Sequence, residues 1–324
     1  MKMNNVLRIG VIGCAKIAEK KVLSAIKSSK NVRLVAIASR SREKAEKFAQ
    51  MFGCEPVWPY ENLISRKDID AVYIPLLPSL HEKWAIESLK AGKHVLSEKP
   101  FTINLTAAQR VVNEARQCGL LVMENFMFVQ HPQHAFVKDI VESGAIGEIR
   151  LFKGSFGFPP LTKSNFRYDK KLGGGALLDV GGYPIRAARL FLGDNLIGIG
   201  ASMAIDRSLG IDIYGAAMFG NNANQVAQVS FGFDNFYQCN YMIWGSKGRI
   251  IVKRAYTIPS EMAPEVIVEE QGIAKTFTLK PANHFQLTFD FFSKEILTGS
   301  NFESYYSSIL EQARLVEYVR NQSC

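Results

Sequence analysis

The 324-residue sequence has no long apolar run, no block of one charge, no internal repeat and no low-complexity tract. A membrane-spanning helix needs roughly 18 or more uncharged residues in a row, and no stretch supplies them. Cysteine is scarce and scattered: Cys14, Cys54, Cys118, Cys239 and Cys324 are odd in number and form no C-x-x-C pair. That argues against a disulfide framework and fits reduced thiols in the cytoplasm. The five histidines do not cluster as metal ligands would, so no metal site is expected. One segment imitates an export signal. Val11-Ile12-Gly13-Cys14 resembles a lipoprotein cleavage site, but Arg8 interrupts the apolar region before it and Lys16 and Glu19-Lys20-Lys21 follow at once. The net charge of +9 is spread along the chain, densest from Lys16 to Lys47. A nucleic-acid binder concentrates its charge in a run or on one helix face. A phosphate-bearing cofactor and an anionic substrate are the better use of this balance.

What is present is an alternation. Apolar runs at Leu7–Ile12, Val32–Ala38, Ala71–Ile74, His94–Ser97 and Leu120–Glu124 read as strands. Helical patterns lie between them: one through Ile26, then Arg42–Phe52, Leu80–Ala91 and Thr106–Cys118. Strands alternating with helices predict an α/β fold with a doubly wound parallel sheet. After about Asn125 the rhythm changes. A helix is expected at Gln133–Ser143, then mainly half-buried antiparallel strands from Glu148 to Val252, interrupted by a helix from about Asp179 to Leu192. Helical patterns resume at Phe285–Leu297 and Tyr305–Arg320. The expected domains are residues 1–124, binding a dinucleotide, and residues 125–324, an α+β domain for substrate and subunit contact.

The turn after the first strand, Gly10 to Ala18, approximates the G-x-G-x-x-G/A fingerprint, with Gly13, Ala15 and Ala18 at its three places. Such a loop lets backbone amides and a helix N-terminus meet a pyrophosphate. The alanine at the second place is a departure. The end of the second strand selects between cofactors. NAD-binding chains usually carry a carboxylate there; this chain has Ser39-Arg40-Ser41-Arg42. A guanidinium binds a phosphate in a fork, which favours NADP over NAD. Glu98-Lys99-Pro100 closes the next-to-last strand of the first domain. Ligands in open α/β sheets sit outside the carboxyl ends of the strands, so Lys99 and Glu98 are placed for chemistry.

Ala91-Gly92-Lys93-His94-Val95-Leu96-Ser97-Glu98-Lys99-Pro100 and Gly173-Gly174-Gly175-Ala176-Leu177-Leu178-Asp179-Val180-Gly181-Gly182-Tyr183, with Tyr60-Glu61-Asn62-Leu63, Asp70 to Pro75 and His81, resemble the glucose-fructose oxidoreductase/inositol dehydrogenase/rhizopine catabolism (Gfo/Idh/MocA) family. The likeness covers nearly the whole chain. It implies a Rossmann domain, a second domain built on a large, mostly antiparallel open sheet, a nicotinamide cofactor, and hydride transfer to or from a sugar, cyclitol or related alcohol. It also implies a homodimer or homotetramer formed through the flat sheet face. Residue by residue, the resemblance assigns Gly13, Cys14, Ala15, Lys16 and Ile17 to the pyrophosphate loop and Ser39 and Arg40 to the ribose side. Leu76 and His81 fall in the segment passing the cofactor. Glu98 and Lys99 match the nicotinamide end, Arg167 an arginine near the cofactor, and Asp179 the substrate-side carboxylate.

Many members carry histidine four residues after that aspartate; here it is Tyr183. A residue four places on lies one helical turn away on the same face. Tyrosine there resembles the branches containing glucose-fructose oxidoreductase, dihydrodiol or xylose dehydrogenases and nucleotide-ketosugar reductases. A phenol titrates near 10, so a neighbouring ammonium is needed for proton transfer near neutrality; Lys99 and Tyr183 are both candidate proton donors. Asp179 also suits a helix N-cap. Glu124 to Phe128 and Gly181 to Ala188 look most like the branch that reduces 3-keto groups of nucleotide-linked deoxysugars with NADPH. The alternatives are an NADP-dependent dehydrogenase of a free sugar, cyclitol or dihydrodiol, and a non-catalytic NADP-sensing regulator. Tyr237 and Tyr241 read as a buried or interface stripe, and His131 and His134 as surface or capping groups.

Overall fold

The computed structural model describes residues 6–299 and 301–322; Cys324 lies outside them. The chain forms two compact units. The first comprises Met1–Asn125 and Phe285–Leu310, the second Phe126–His284 and Glu311–Cys324.

The first unit opens with β1 (Leu7–Ile12), a wide π turn (Ala18–Val22) and α1 (Leu23–Ser28), then β2 (Val32–Ala38), α2 (Arg42–Phe52), β3 (Glu55–Val57) and α3 (Tyr60–Ile64). It continues with β4 (Ala71–Ile74), α4 (Pro78–Lys90), β5 (His94–Glu98), α5 (Leu105–Cys118) and β6 (Val122–Asn125). The helices start and stop where their caps dictate. The Ser41 side chain accepts from the Lys44 amide and Gly53 ends α2 in the left-handed region at φ 66°; Asn104 and Gly119 do the same for α5. α2 buries Ala45, Phe48, Ala49 and Phe52, one stripe at helical spacing. The six strands pair in the order β3-β2-β1-β4-β5-β6, all parallel. The order reverses between β1 and β4, so the crevice of this doubly wound sheet opens beside the turn after β1. Two short elements, β3 and α3, lack a readable period: β3 spans three residues, one of them Pro56.

The region expected as one domain over 125–324 is not continuous. α8 (His284–Thr298) and the first part of α9 (Glu303–Gln322) belong with the parallel sheet. Phe289 and Phe292 are fully buried in one core with Leu7, Ile9, Val11, Tyr73 and Leu96, and the Tyr306 hydroxyl donates to the Leu120 carbonyl at 2.6 Å. Helical periodicity identifies an apolar face but not the sheet that covers it.

The second unit contains a 3-10 turn (Met127–Gln130), α6 (Pro132–Glu142), β7 (Ile149–Gly157) and a π turn (Leu177–Gly181) that runs into α7 (Gly182–Leu192). β8 (Ile197–Asp206), β9 (Ile211–Gly220), β10 (Val226–Gly232), β11 (Gln238–Gly245), β12 (Gly248–Val252), β13 (Glu265–Glu270) and β14 (Ile273–Thr278) follow. The eight strands run β14-β13-β12-β11-β7-β10-β9-β8, antiparallel except for β7 beside β10. α7 is buried along Tyr183, Pro184, Ile185, Ala187, Ala188 and Leu192. Ile197, Ile199, Ile205, Tyr214, Met218 and Trp244 on these strands remain exposed. β13 and β14 lie past Val252, where the strands read from sequence end: β13 alternates Val266 and Val268 into the core, and β14 is solvated along most of its length and offers no apolar alternation. Among the described residues no helix is long and apolar enough to cross a membrane.

Candidate active site

The candidate residues fall in both units, and each set is built by its own unit. In the first, Gly13 leaves β1 at φ +117°, and its amide donates to the Ala38 carbonyl at 2.9 Å. A Cβ there would lie 2.5 Å from Leu76 Cδ2. Both facts demand glycine, and they bring Gly13 and Leu76 into contact. Lys16 and Ile17 are exposed and Ala15 half-exposed. Cys14 instead turns inward, its Sγ 3.7 Å from the Lys44 carbonyl, and burial pushes its thiol up to about 11. Cys14 therefore lends the loop its backbone and keeps its side chain in the core.

Ser39 is buried and accepts from the Ser41 amide at 3.2 Å, shaping the turn after β2, while Arg40 is exposed. Tyr60 from α3 reaches this turn. It hydrogen-bonds with Arg40, burial raises its pKa, and its hydroxyl approaches the Cβ position of Gly13 at 3.9 Å. Arg42 stacks its guanidinium 4.6 Å above Trp58.

The Lys99 loop is held on three sides. Glu98 Oε1 accepts from the Tyr73 hydroxyl at 2.7 Å and from Asn125 Nδ2 at 2.5 Å, and the register pairs Glu98 with Asn125. Burial raises the Glu98 pKa against those donors. His81, 1% exposed, sets Nδ1 2.8 Å from the Pro100 carbonyl and Nε2 2.9 Å from the Leu76 carbonyl. Burial lowers its pKa. The Phe101 amide donates to Glu124 at 2.8 Å. His81 thus ties the Leu76 segment to the Lys99 loop instead of presenting its ring to a ligand. Tyr73, Asn125 and Glu124 have no motif of their own; the parallel register alone brings them to Glu98 and Phe101.

In the second unit, Arg167 Nε donates to Asp179 Oδ2 at 2.5 Å, and Asp179 is 8% exposed. Arg167 is therefore the partner of the candidate carboxylate. Asp179 is not an N-cap: its amide already donates to the Gly175 carbonyl at 3.2 Å, inside the first turn. The helix begins two residues earlier than the sequence pattern suggests. The glycine run has a steric cause. A Cβ on Gly174 would lie 2.5 Å from the Arg167 carbonyl oxygen, and Gly175 sits at φ +113°.

Tyr183 is 4% exposed. Its ring is walled by Phe126 (5.3 Å between centroids), Phe128 (5.8 Å), Phe156 (5.0 Å) and Tyr256 (5.8 Å), with its hydroxyl 3.8 Å from Met127 Sδ. His131 and His134 are buried, not at the surface. His131 caps α6 by accepting from the Gln133 amide, and His134 Nδ1 lies 2.9 Å from the Tyr241 hydroxyl. Tyr241 is fully buried, whereas Tyr237 precedes β11 and is half-exposed. Among the described residues no group of three or more His, Cys, Asp or Glu could hold a metal ion.

Comparison with known proteins agrees with this architecture. A family model described as an oxidoreductase family with an NAD-binding Rossmann fold, GFO/IDH/MocA, matches residues 7–126, and one for the GFO/IDH/MocA C-terminal domain matches residues 134–251. The dTDP-3,4-didehydro-2,6-dideoxy-alpha-D-glucose 3-reductase of Actinomadura kijaniata is 43% identical over 98% of this chain and 95% of its own. The enzyme of the same name from Saccharopolyspora spinosa is 40% identical over 98% and 97%. A crystal structure of a 3-ketoreductase from Actinomadura kijaniata, in complex with NADP and TDP-benzene, aligns with a TM-score of 0.94 at 43% identity and covers 98% of both chains. With its parallel dinucleotide-binding sheet followed by an eight-stranded mixed sheet, the chain belongs to the Gfo/Idh/MocA family of NAD(P)-dependent oxidoreductases.

Proposed function

We propose that this protein is an NADPH-dependent reductase of the 3-keto group of a nucleotide-linked deoxysugar, with a dTDP-linked 3,4-didehydro-2,6-dideoxyhexose as its substrate. The observation that carries this reading is likeness over the full length to reductases of that name. The turn after β2 supports the choice of NADP. Ser39 and exposed Arg40 stand where NAD-binding chains carry a carboxylate, and a guanidinium suits the extra phosphate.

The first unit fits a dinucleotide: Gly13 turns the chain after β1 at φ +117° with its backbone unshielded by a side chain, and the loop behind it exposes Lys16 and Ile17. Gly13, Ala15, Lys16 and Ile17 would hold the pyrophosphate, Ser39 and Arg40 the ribose phosphate, and Leu76, Glu98 and Lys99 the nicotinamide end. Bound NADPH supplies the hydride for the ketone carbon. On this reading either Lys99 or Tyr183 donates the proton to the forming hydroxyl, and Asp179, oriented by Arg167, fixes the sugar. General acid catalysis of this kind contributes about a hundredfold or more. The exposed apolar residues of the second sheet serve, on the same reading, as the contact of a homodimer or homotetramer.

The test is a fluorescence titration with NADPH and NADH, followed by a panel of nucleotide-linked ketosugars and free aldoses. Tight NADPH binding with oxidation solely on adding a dTDP-ketosugar supports the reductase. NADP reduction by free sugars would instead make it a dehydrogenase.

A further inference from the structure

The turn that launches the helix bearing Asp179 and Tyr183 is secured by a carboxylate from a remote strand. Asp212 lies near the start of β9. Its Oδ2 accepts from the Leu177 amide at 2.5 Å, and it also takes a hydrogen bond from the Ala176 amide. These are orphan donors at the first turn of a continuous helical run from Leu177 to Leu192. A negative charge at that end also opposes the helix dipole favourably. The glycine before them completes the fit, because a Cβ on Gly175 would collide with Asp212 Oδ1. The Gly175 amide donates to the Arg167 carbonyl at 2.9 Å, and the Arg167 side chain holds Asp179.

We propose that Asp212 is the positioning residue that seats the Asp179–Tyr183 helix on the second sheet. Arg167 binds the turn from ten or so residues upstream, within the same loop. Asp212 is 35 positions from Leu177 and fixes that turn to a strand. Burial raises its carboxyl pKa, while the amides of Leu177, Asp212 itself and Ala176 and the charge of Arg320 act in the opposite direction. The arrangement rests on the proposed roles of Asp179 and Tyr183 and adds what holds them in register.

The experiment compares wild type with Asp212→Ala and Asp212→Asn in two readouts: steady-state kinetics with NADPH and a dTDP-ketosugar, and hydrogen exchange of the segment 174–183. Charge-assisted hydrogen bonds are roughly twice as strong as neutral ones, so a graded series is expected. Asp212→Ala should lower kcat about tenfold and speed exchange at the Ala176 and Leu177 amides about tenfold. Asp212→Asn should fall between it and wild type, and the NADPH dissociation constant should stay unchanged in both. A merely structural role would lower the yield of active protein without this ordering in kcat. Unchanged exchange in Asp212→Ala, or faster exchange with unchanged kcat, would overturn the proposal. If the alanine variant does not fold, Asp212→Asn decides alone, and wild-type exchange in it counts against the proposal. Should the wild type bind NADPH but reduce no nucleotide-linked ketosugar, the substrate reading fails. The exchange series then still decides whether Asp212 seats the helix.

Discussion

The two units carry their candidate residues on different material. The first offers backbone and loop: Gly13 at positive φ, exposed Lys16 and Ile17, exposed Arg40. The second offers side chains sunk in packing: Asp179 against Arg167, and Tyr183 inside a wall of aromatic rings. A cofactor common to many reactions needs a backbone cradle and charge selection, and a short motif encodes both. A particular substrate needs shaped side chains held from a distance.

Lys99 is the proposed exception in the first unit, a candidate proton donor on a loop held by His81, Glu124 and the Glu98 pairings. Lys99→Met should therefore reduce kcat about a hundredfold, as loss of a proton-transferring group does, with NADPH affinity nearly unchanged. Equal losses in cofactor affinity and kcat would make Lys99 part of the cradle and erase the exception. The cradle itself is tested at Gly13. Gly13→Ala puts a side chain at a φ of +117° and a methyl against Leu76, so the loop backbone must shift; a loss of ~2 kcal/mol in binding would be about thirtyfold in affinity. NADPH binding, read by titration, should weaken by that factor while saturated kcat stays within a few-fold. In the second unit Tyr183→Phe keeps the ring that packs against Phe126, Phe128 and Phe156 and removes the hydroxyl. Turnover should fall at least about tenfold with the melting temperature and NADPH affinity retained. Unchanged turnover would leave Tyr183 as a core tyrosine.

How much was legible follows the same division. Five of the six parallel strands, the glycine turn after β1 and the place of Lys99 just past β5 could be read from local pattern, because each depends on neighbours in sequence. The helix carrying Asp179 and Tyr183 was visible too, though its start was not. The π turn and the Asp212 carboxylate that caps it have no local signature. The same holds for Tyr73 and Asn125 around Glu98, which parallel register brings together across 25 and 27 positions. α8 shows the limit most plainly: its apolar face was readable, yet Phe289 and Phe292 fill the core of the first sheet. Period names a face, and only topology names its partner.

The smallest expected effect concerns acid, and it is sharpest in the second unit. His131 must stay neutral, because its Nδ1 accepts from the Gln133 amide. His134 is held neutral by burial, with Nε2 donating to the Ala255 carbonyl and Nδ1 free to accept from the Tyr241 hydroxyl. Burial depresses their pKa values to about 4 and about 3, and the charged neighbours acting on His134 are His131 and His284, of like sign when protonated. In the unfolded chain both titrate near 6.5. Between those limits the unfolded state binds more protons, so stability is full above about pH 6.5 and falls as pH drops toward 4. The melting temperature should thus be lower at pH 5 than at pH 7.5, by ~1–2 °C for each kcal/mol lost in a chain of this length. Hydrogen exchange at pH 5 should quicken in α6. His134→Gln should flatten the pH dependence of melting, because an amide can meet the Ala255 carbonyl and the Tyr241 hydroxyl without titrating. An undiminished pH dependence in that variant would move the acid sensitivity to His131, or to His81 and His94 of the first unit, whose pKa values burial also lowers.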